Sequence, residues 1–181
     1  MPELASPPRR IMQSGSVDVD VQYGHYVLQA GGERSGADTP SRDGLLFGEV
    51  GWLAVVCCSD FVPVPCRVEV LRRMPPAVDR GWDMVTEHDL DLRHGVLTVM
   101  GSQGHHPHLT LSSTPGAHRV RVHVRNREQG LQIADADPTV DISPVNPEEH
   151  LLQLWPAAHA RPAETLLGPD RYAVSYLSGS A

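Results

Sequence analysis

The chain has 181 residues, 40% of them hydrophobic, and carries 22 acidic against 15 basic residues for a formal charge of −7. That length suits one domain able to bury a core without disulfides or a structural metal. The acidic balance argues against a general electrostatic attraction to nucleic acid or to anionic membrane.

Sixteen glycines and 16 prolines point to many turns, and hence to short strands rather than long helices. Every basic residue is arginine, a bias of the kind a GC-rich bacterial coding sequence produces. Ten histidines would carry the net charge from −7 to +3 on protonation, so charge reverses as pH falls through roughly 6.5. Of the three cysteines, Cys57 and Cys58 are adjacent and lie in an apolar run, and no CxxC pair occurs. They read as reduced, buried thiols of a cytoplasmic protein. The first fifteen residues hold no apolar stretch of signal-peptide length, and no segment is apolar enough to span a membrane.

Residues 1–15 read as a loose tail. Val17, Val19 and Val21 alternate with Asp18 and Asp20, the period of a strand with one wet face. The strand either runs on through Tyr23 or turns at Gly24 into a second short piece from His25 to Gln29, and a loop follows from Gly31 to Gly44. The continuous apolar run Trp52 to Cys58 suits a central strand covered on both faces, and Cys66, Val68 and Val70 alternate on the next one. Leu90 and Leu92 alternate against Asp89 and Asp91. Arg93-His94-Gly95 then offers a tight hairpin connection to a strand from Val96 to Met100. Leu109 and Leu111 mark a further strand, and His118 to Arg125 is the strongest two-residue period in the chain. The acidic stretch Ile133 to Pro147 reads as a long connection, and Glu149 to Trp155 as a last core strand. Beyond Pro156, residues 157–181 read as linker and C-terminal extension.

About eight short strands without a β-then-long-helix rhythm predict an all-β, antiparallel two-sheet β-sandwich over residues 16–156. Phosphate loops, dinucleotide-binding glycine motifs and a GxSxG elbow are missing.

Three constellations could carry chemistry. His105, His106 and His108 cluster in one loop. Converging imidazoles with an acid would suit zinc, copper or nickel, although the spacing is not that of HExxH or a zinc finger. Arg119, Arg121, His123, Arg125 and Arg127 form a basic ladder that repels itself unless acid lies across it. Asp18 and Asp20, or Asp89 and Asp91, could supply that acid internally; alternatively, the ladder is a docking face for an acidic partner or phosphate. The acids Asp135, Asp137, Asp141, Glu148 and Glu149 stand among prolines and read as solvated loop charge. A nucleophilic role for Cys57 or Cys58 is opposed by their apolar surroundings, which raise a thiol pKa.

The strand order resembles that of the ComJ-type inhibitors of a competence-associated DNA-entry nuclease, small β-sandwiches of Gram-positive bacteria. The fragments that carry the resemblance are Val21-Gln22-Tyr23-Gly24-His25-Tyr26, Pro65-Cys66-Arg67-Val68-Glu69-Val70, Pro115 to Val122, and the final strand before the tail. The late strand together with Glu148 to Pro156 is also similar to a tract of uncharacterised actinobacterial proteins. The resemblance implies a non-enzymatic protein that binds and restrains a nuclease or another effector, and it carries over no functional residues.

The sequence therefore favours a cytoplasmic binding module that acts as an inhibitor, immunity factor or regulatory partner of another protein. The competing reading is a metal-dependent enzyme or sensor built on His105, His106 and His108. A homo-oligomeric assembly is a third.

Overall fold

In the computed structural model, residues 10–31, 43–58, 62–103, 106–129 and 146–179 are described. The elements that lie wholly within them are eleven strands and a C-terminal helix: β1 (Ile11–Val19), β2 (His25–Gln29), β3 (Leu46–Glu49), β4 (Trp52–Val56), β5 (Val64–Leu71), β6 (Met84–Leu92), β7 (Val96–Gly101), β8 (Pro107–Ser112), β9 (Gly116–Arg125), β10 (Glu149–Pro156), β11 (Glu164–Leu167) and α1 (Arg171–Ser178). The six-stranded sheet runs β1-β5-β10-β9-β6-β11, and the five-stranded sheet runs β3-β4-β2-β7-β8. This is the all-β, two-sheet fold the sequence predicts. Pairing is antiparallel except between β5 and β10, where His150 faces Cys66 and Leu154 faces Val70 in parallel register.

The core fills the space between the sheets. Strand alternation aims Val68, Val120, Val122, Leu152 and Leu154 inward from one sheet, and Tyr26, Leu28, Leu53, Val55, Leu97 and Val99 from the other. Neighbours of opposite parity on the five-stranded sheet, Val27, Trp52 and Ala54 with Phe47, form a second small cluster. The expectation that the run Trp52 to Cys58 is covered on both faces is met: all seven residues are buried, the first five of them as β4.

Several details differ from the sequence expectation. Strand β1 starts at Ile11, inside the stretch read as tail, because the Ile11–Val19 backbone pairs with β5 along its length. Its first residues are exposed, so hydrophobic alternation cannot report them. The Arg93-His94-Gly95 turn is tight, with the Gly95 N–H bonded to the Leu92 carbonyl at 2.9 Å. It makes no hairpin, however: β6 pairs with β9 and β11, and β7 pairs with β2 and β8. Leu90 and Leu92 meet Leu97 and Val99 in the shared core rather than side by side in one sheet, so the chain changes sheets at this turn.

The region read as linker contributes β11, which extends the larger sheet beyond β6, and α1, which packs Ala173 into the core. Helix α1 is short but well bounded. Asp170 caps its N-terminus by accepting the Ala173 N–H at 2.7 Å, and Gly179 ends it in the left-handed conformation. A Cβ on Gly44 would lie 2.7 Å from that of Ala173, so glycine is what lets the helix sit this close. Tyr23 and Gly24, at φ 56° and 65°, turn the chain into β2.

Candidate functional site

The arginine ladder is placed on β9, where alternation turns Arg119, Arg121, His123 and Arg125 away from the core valines. It is not an open face. Arg119 is 0% exposed; it bonds Asp89 at 2.8 Å and Glu87 at 3.2 Å and donates to the carbonyls of Arg161 and Pro162. Arg121 bonds the other oxygen of Glu87 at 2.8 Å, donates to the Pro76 carbonyl and lies over the Trp155 ring. His123 bonds the Leu151 carbonyl and packs on Trp82, and its burial depresses its pKa to about 4. Arg125 is the most open of the four, with a side chain 41% exposed, pairing with Glu149 and covering Trp82.

Arg127 departs from the ladder because Asn126, at φ 64°, turns the chain. Its guanidinium is buried against α1, gripping both carboxylate oxygens of Asp170 and donating to the carbonyls of Gly44 and Val56. Internal pairing thus involves Asp89, one of the acids expected, and Glu87 and Asp170, which the sequence reading did not single out. Glu87 lies opposite Arg121 and Asp89 opposite Arg119 in the β6–β9 register. Asp20 instead approaches His108, and Asp91 approaches Arg93.

Of the three clustered histidines, His105 lies outside the described residues. His106 is exposed, and His108 Nε2 sits 3.5 Å from an Asp20 oxygen at the surface. Both line a small hollow with Gln22 and Gln103. Among the described residues, the metal-type ligand atoms that converge within 4.8 Å belong elsewhere, to Cys57, Glu148 and His150.

That second constellation is assembled from four parts of the chain. Cys57 and Cys58 follow β4, Glu148 directly precedes β10, His150 is on β10, and Tyr26 comes from β2. The parallel β5–β10 register sets Cys66 opposite His150. His150 Nε2 lies 2.8 Å from Glu148 Oε1, and His150 Nδ1 lies 2.9 Å from the Tyr26 hydroxyl. The second Glu148 oxygen accepts from the Cys58 backbone N–H at 3.2 Å and from its thiol at 3.0 Å. Asn146 holds the approach by accepting the Glu148 N–H. Glu148 is 0% exposed, which corrects its reading as solvated loop charge; Asp135, Asp137 and Asp141 lie outside the described residues.

Burial alone would push the Glu148 carboxyl up. The hydrogen bond and charge of His150, the Cys58 thiol and the Arg127 charge outweigh it and leave the carboxyl below its usual range. Because an ionised carboxylate only accepts, the proton of the His150–Glu148 bond sits on Nε2. Burial, reinforced by the Glu148 charge, holds the thiols of Cys57 and Cys58 well above the ordinary value, and burial raises Cys66 to about 12. All three cysteines are free and buried, as their apolar surroundings predict. A buried carboxylate, imidazole and thiol set can hold a proton or a soft cation. Cys57, Glu148 and Tyr26 have no exposure, while His150 and Cys66 border a surface hollow shared with Ser16, Asp18 and Arg67. Sequence spacing could not reveal it, since Cys57 and Glu148 are brought together by sheet topology.

Fold and site define an all-β, two-sheet protein with a buried polar cluster where the end of β4 meets the start of β10. No family model and no curated protein matches the sequence. Among solved structures, the chain is similar to the protein titled crocagin biosynthetic gene J, at 11% identity and a TM-score of 0.49, with 80% of this chain and 99% of that one covered. It is also similar to ComJ from Bacillus subtilis, titled an inhibitor of the DNA-degrading activity of NucA, at 5% identity and a TM-score of 0.47, with 82% and 98% covered. The second is the kind of protein the strand sequence resembles.

Proposed function

We propose that the chain is a non-enzymatic protein-binding module that acts as an inhibitor or regulatory partner of another protein, with a nuclease as the preferred class of target. The observation that supports this reading is the burial of the reactive groups. The thiols, Glu148 and His150 are buried, and Arg119, Arg121 and Arg127 are paired with acids inside the chain. What the molecule offers outward is sheet and turn surface on a body of net charge −7. Such a body is steered toward a basic partner surface, and enzymes that handle nucleic acid present one.

The test is purification of the tagged chain from its native host at moderate salt, with mass spectrometry of what accompanies it, followed by titration of the purified components. The expected result is a stoichiometric complex that weakens as salt rises, with loss of the partner's activity on binding. A chain that returns alone, and fails to bind any purified candidate at micromolar concentration, overturns the reading.

A further inference from the structure

We propose that Cys57, Glu148 and His150 form a buried site for one divalent zinc-type metal ion, with Cys58 as the fourth ligand. This site is separate from the His106 and His108 surface loop, and the inference does not depend on the binding role above.

Three features of the cluster carry it. First, the donor set is the one borderline-soft metals select: thiolate sulfur, imidazole nitrogen and carboxylate oxygen. Zinc bonds of about 2.0–2.3 Å in a tetrahedron place ligand atoms roughly 3.3–3.8 Å apart. Ligand atoms of Cys57, Glu148 and His150 already lie within 4.8 Å of one another, and Cys58 Sγ is 3.0 Å from Glu148 Oε2. Side-chain adjustments on the order of 1 Å would bring the Cys57, Glu148 and His150 atoms to such spacings, and Cys58, bonded to the same carboxylate but outside that group of three, joins them by rotating its side chain.

Second, His150 has the outer partner that a metal-bound imidazole needs. The Tyr26 hydroxyl sits 2.9 Å from Nδ1, so Nε2 can turn its lone pair to the metal while Nδ1–H donates to the tyrosine oxygen. The imidazole proton moves from Nε2 to Nδ1, and Tyr26, itself fully buried, fixes the ring orientation.

Third, the charges close. Two thiolates and one carboxylate bring −3 against the +2 ion, and the nearby Arg127 guanidinium, whose charge acts on Cys57, Cys58 and Glu148, offsets the remainder. Binding releases two protons, one from each thiol, and no open coordination position faces solvent. The ion would therefore be structural, tying the end of β4 to the start of β10.

Because Cys57 and Glu148 have no exposure, the site is most readily loaded as the chain folds. The experiment therefore unfolds the full-length, tag-free, reduced chain in denaturant with chelator, removes the chelator, and refolds with cobalt or with zinc. The expected result is one equivalent of cobalt retained after gel filtration, with thiolate-to-cobalt charge-transfer absorption and tetrahedral visible bands that zinc abolishes. These signals are lost in Glu148→Gln and Cys57→Ser and unchanged in a His106→Ala/His108→Ala double variant. Wild-type chain that refolds but keeps less than about a tenth of an equivalent overturns the proposal, whether or not the variants fold. Bands that survive Cys57→Ser, or that vanish in the surface-histidine variant, put the ion elsewhere and overturn it too.

Discussion

Replacing Arg127 by methionine keeps the length and apolar stem of the side chain and removes its charge and donors. In the native structure that guanidinium holds both oxygens of Asp170, at 2.8 and 2.7 Å, reaches two backbone carbonyls, and lies 5.0 Å over the Tyr172 ring. The arginine side chain is 0% exposed and that of Asp170 is 11% exposed, so water cannot take over the lost contacts. Removing one member of such a buried pair costs about 3–5 kcal/mol, a large share of the roughly 5–15 kcal/mol that holds a domain folded. The loss should be concentrated at α1, because Asp170 is both the partner of Arg127 and the helix N-cap.

Urea unfolding at neutral pH, followed by fluorescence and circular dichroism, measures the total loss, and limited proteolysis reports release of the C-terminal segment. Asp170→Asn keeps a capping oxygen but strands the arginine charge, so it should be similarly damaging. The double variant should lose at least about 1 kcal/mol less than the sum of the two single changes, the signature of a direct pair. A loss below about 1 kcal/mol for Arg127→Met, or strict additivity in the cycle, would refute the clamp.

Three further outcomes are expected. Because His123 titrates near 4 when folded and near 6.5 when unfolded, protonation favours the unfolded chain. Its stabilising effect is complete above about 6.5 and is lost as pH falls toward 4, on the order of 3 kcal/mol. His123→Gln should flatten that part of the stability profile, and wild-type stability that stays level between pH 7 and 4.5 would contradict the assignment. Cys57, Cys58 and Cys66 should resist iodoacetamide in the native chain at mildly alkaline pH and all react in denaturant, as counted by mass spectrometry; a rapidly labelled native thiol would show the cluster to be open. Leu152→Ala, in the middle of β10 with no exposure, should cost about 2–5 kcal/mol in urea unfolding, and a neutral effect would mean that β10 does not lie between β5 and β9.

Much of the strand pattern is legible because alternation and burial share one cause. The valines of β9 and the apolar run of β4 must face the core, and the sequence states this directly. Charge is less transparent. The arginines on the other face of β9 look like a surface ladder, and only the β6–β9 register, which sets Glu87 and Asp89 against Arg121 and Arg119, shows that these two are neutralised and covered. Helix α1 carries its signals in Asp170 and Gly179, but eight residues are too few for a period to emerge from a stretch that begins as proline-dotted linker. The Cys57, Glu148 and His150 cluster is illegible in principle. Its members meet through strands from different sheets and through the parallel pairing of β5 with β10, and nothing local encodes that meeting.

That parallel pairing also sets an assembly order. Strand β10 lies between β5 and β9, so the larger sheet exists as two pieces, β1 with β5 and β9 with β6, until residues 149–156 arrive to bridge them. As the chain emerges from synthesis, both β5 and β9 expose long, valine-rich edges with unpaired backbone groups, the surface on which strands from other chains can add. The late strand works as a keystone: it seals both edges at once and in the same step carries Glu148 and His150 to the cysteines. A nascent chain stalled before residue 149 should therefore aggregate or require a holding chaperone, while one released a few residues after Pro156 already has the sheet centre closed.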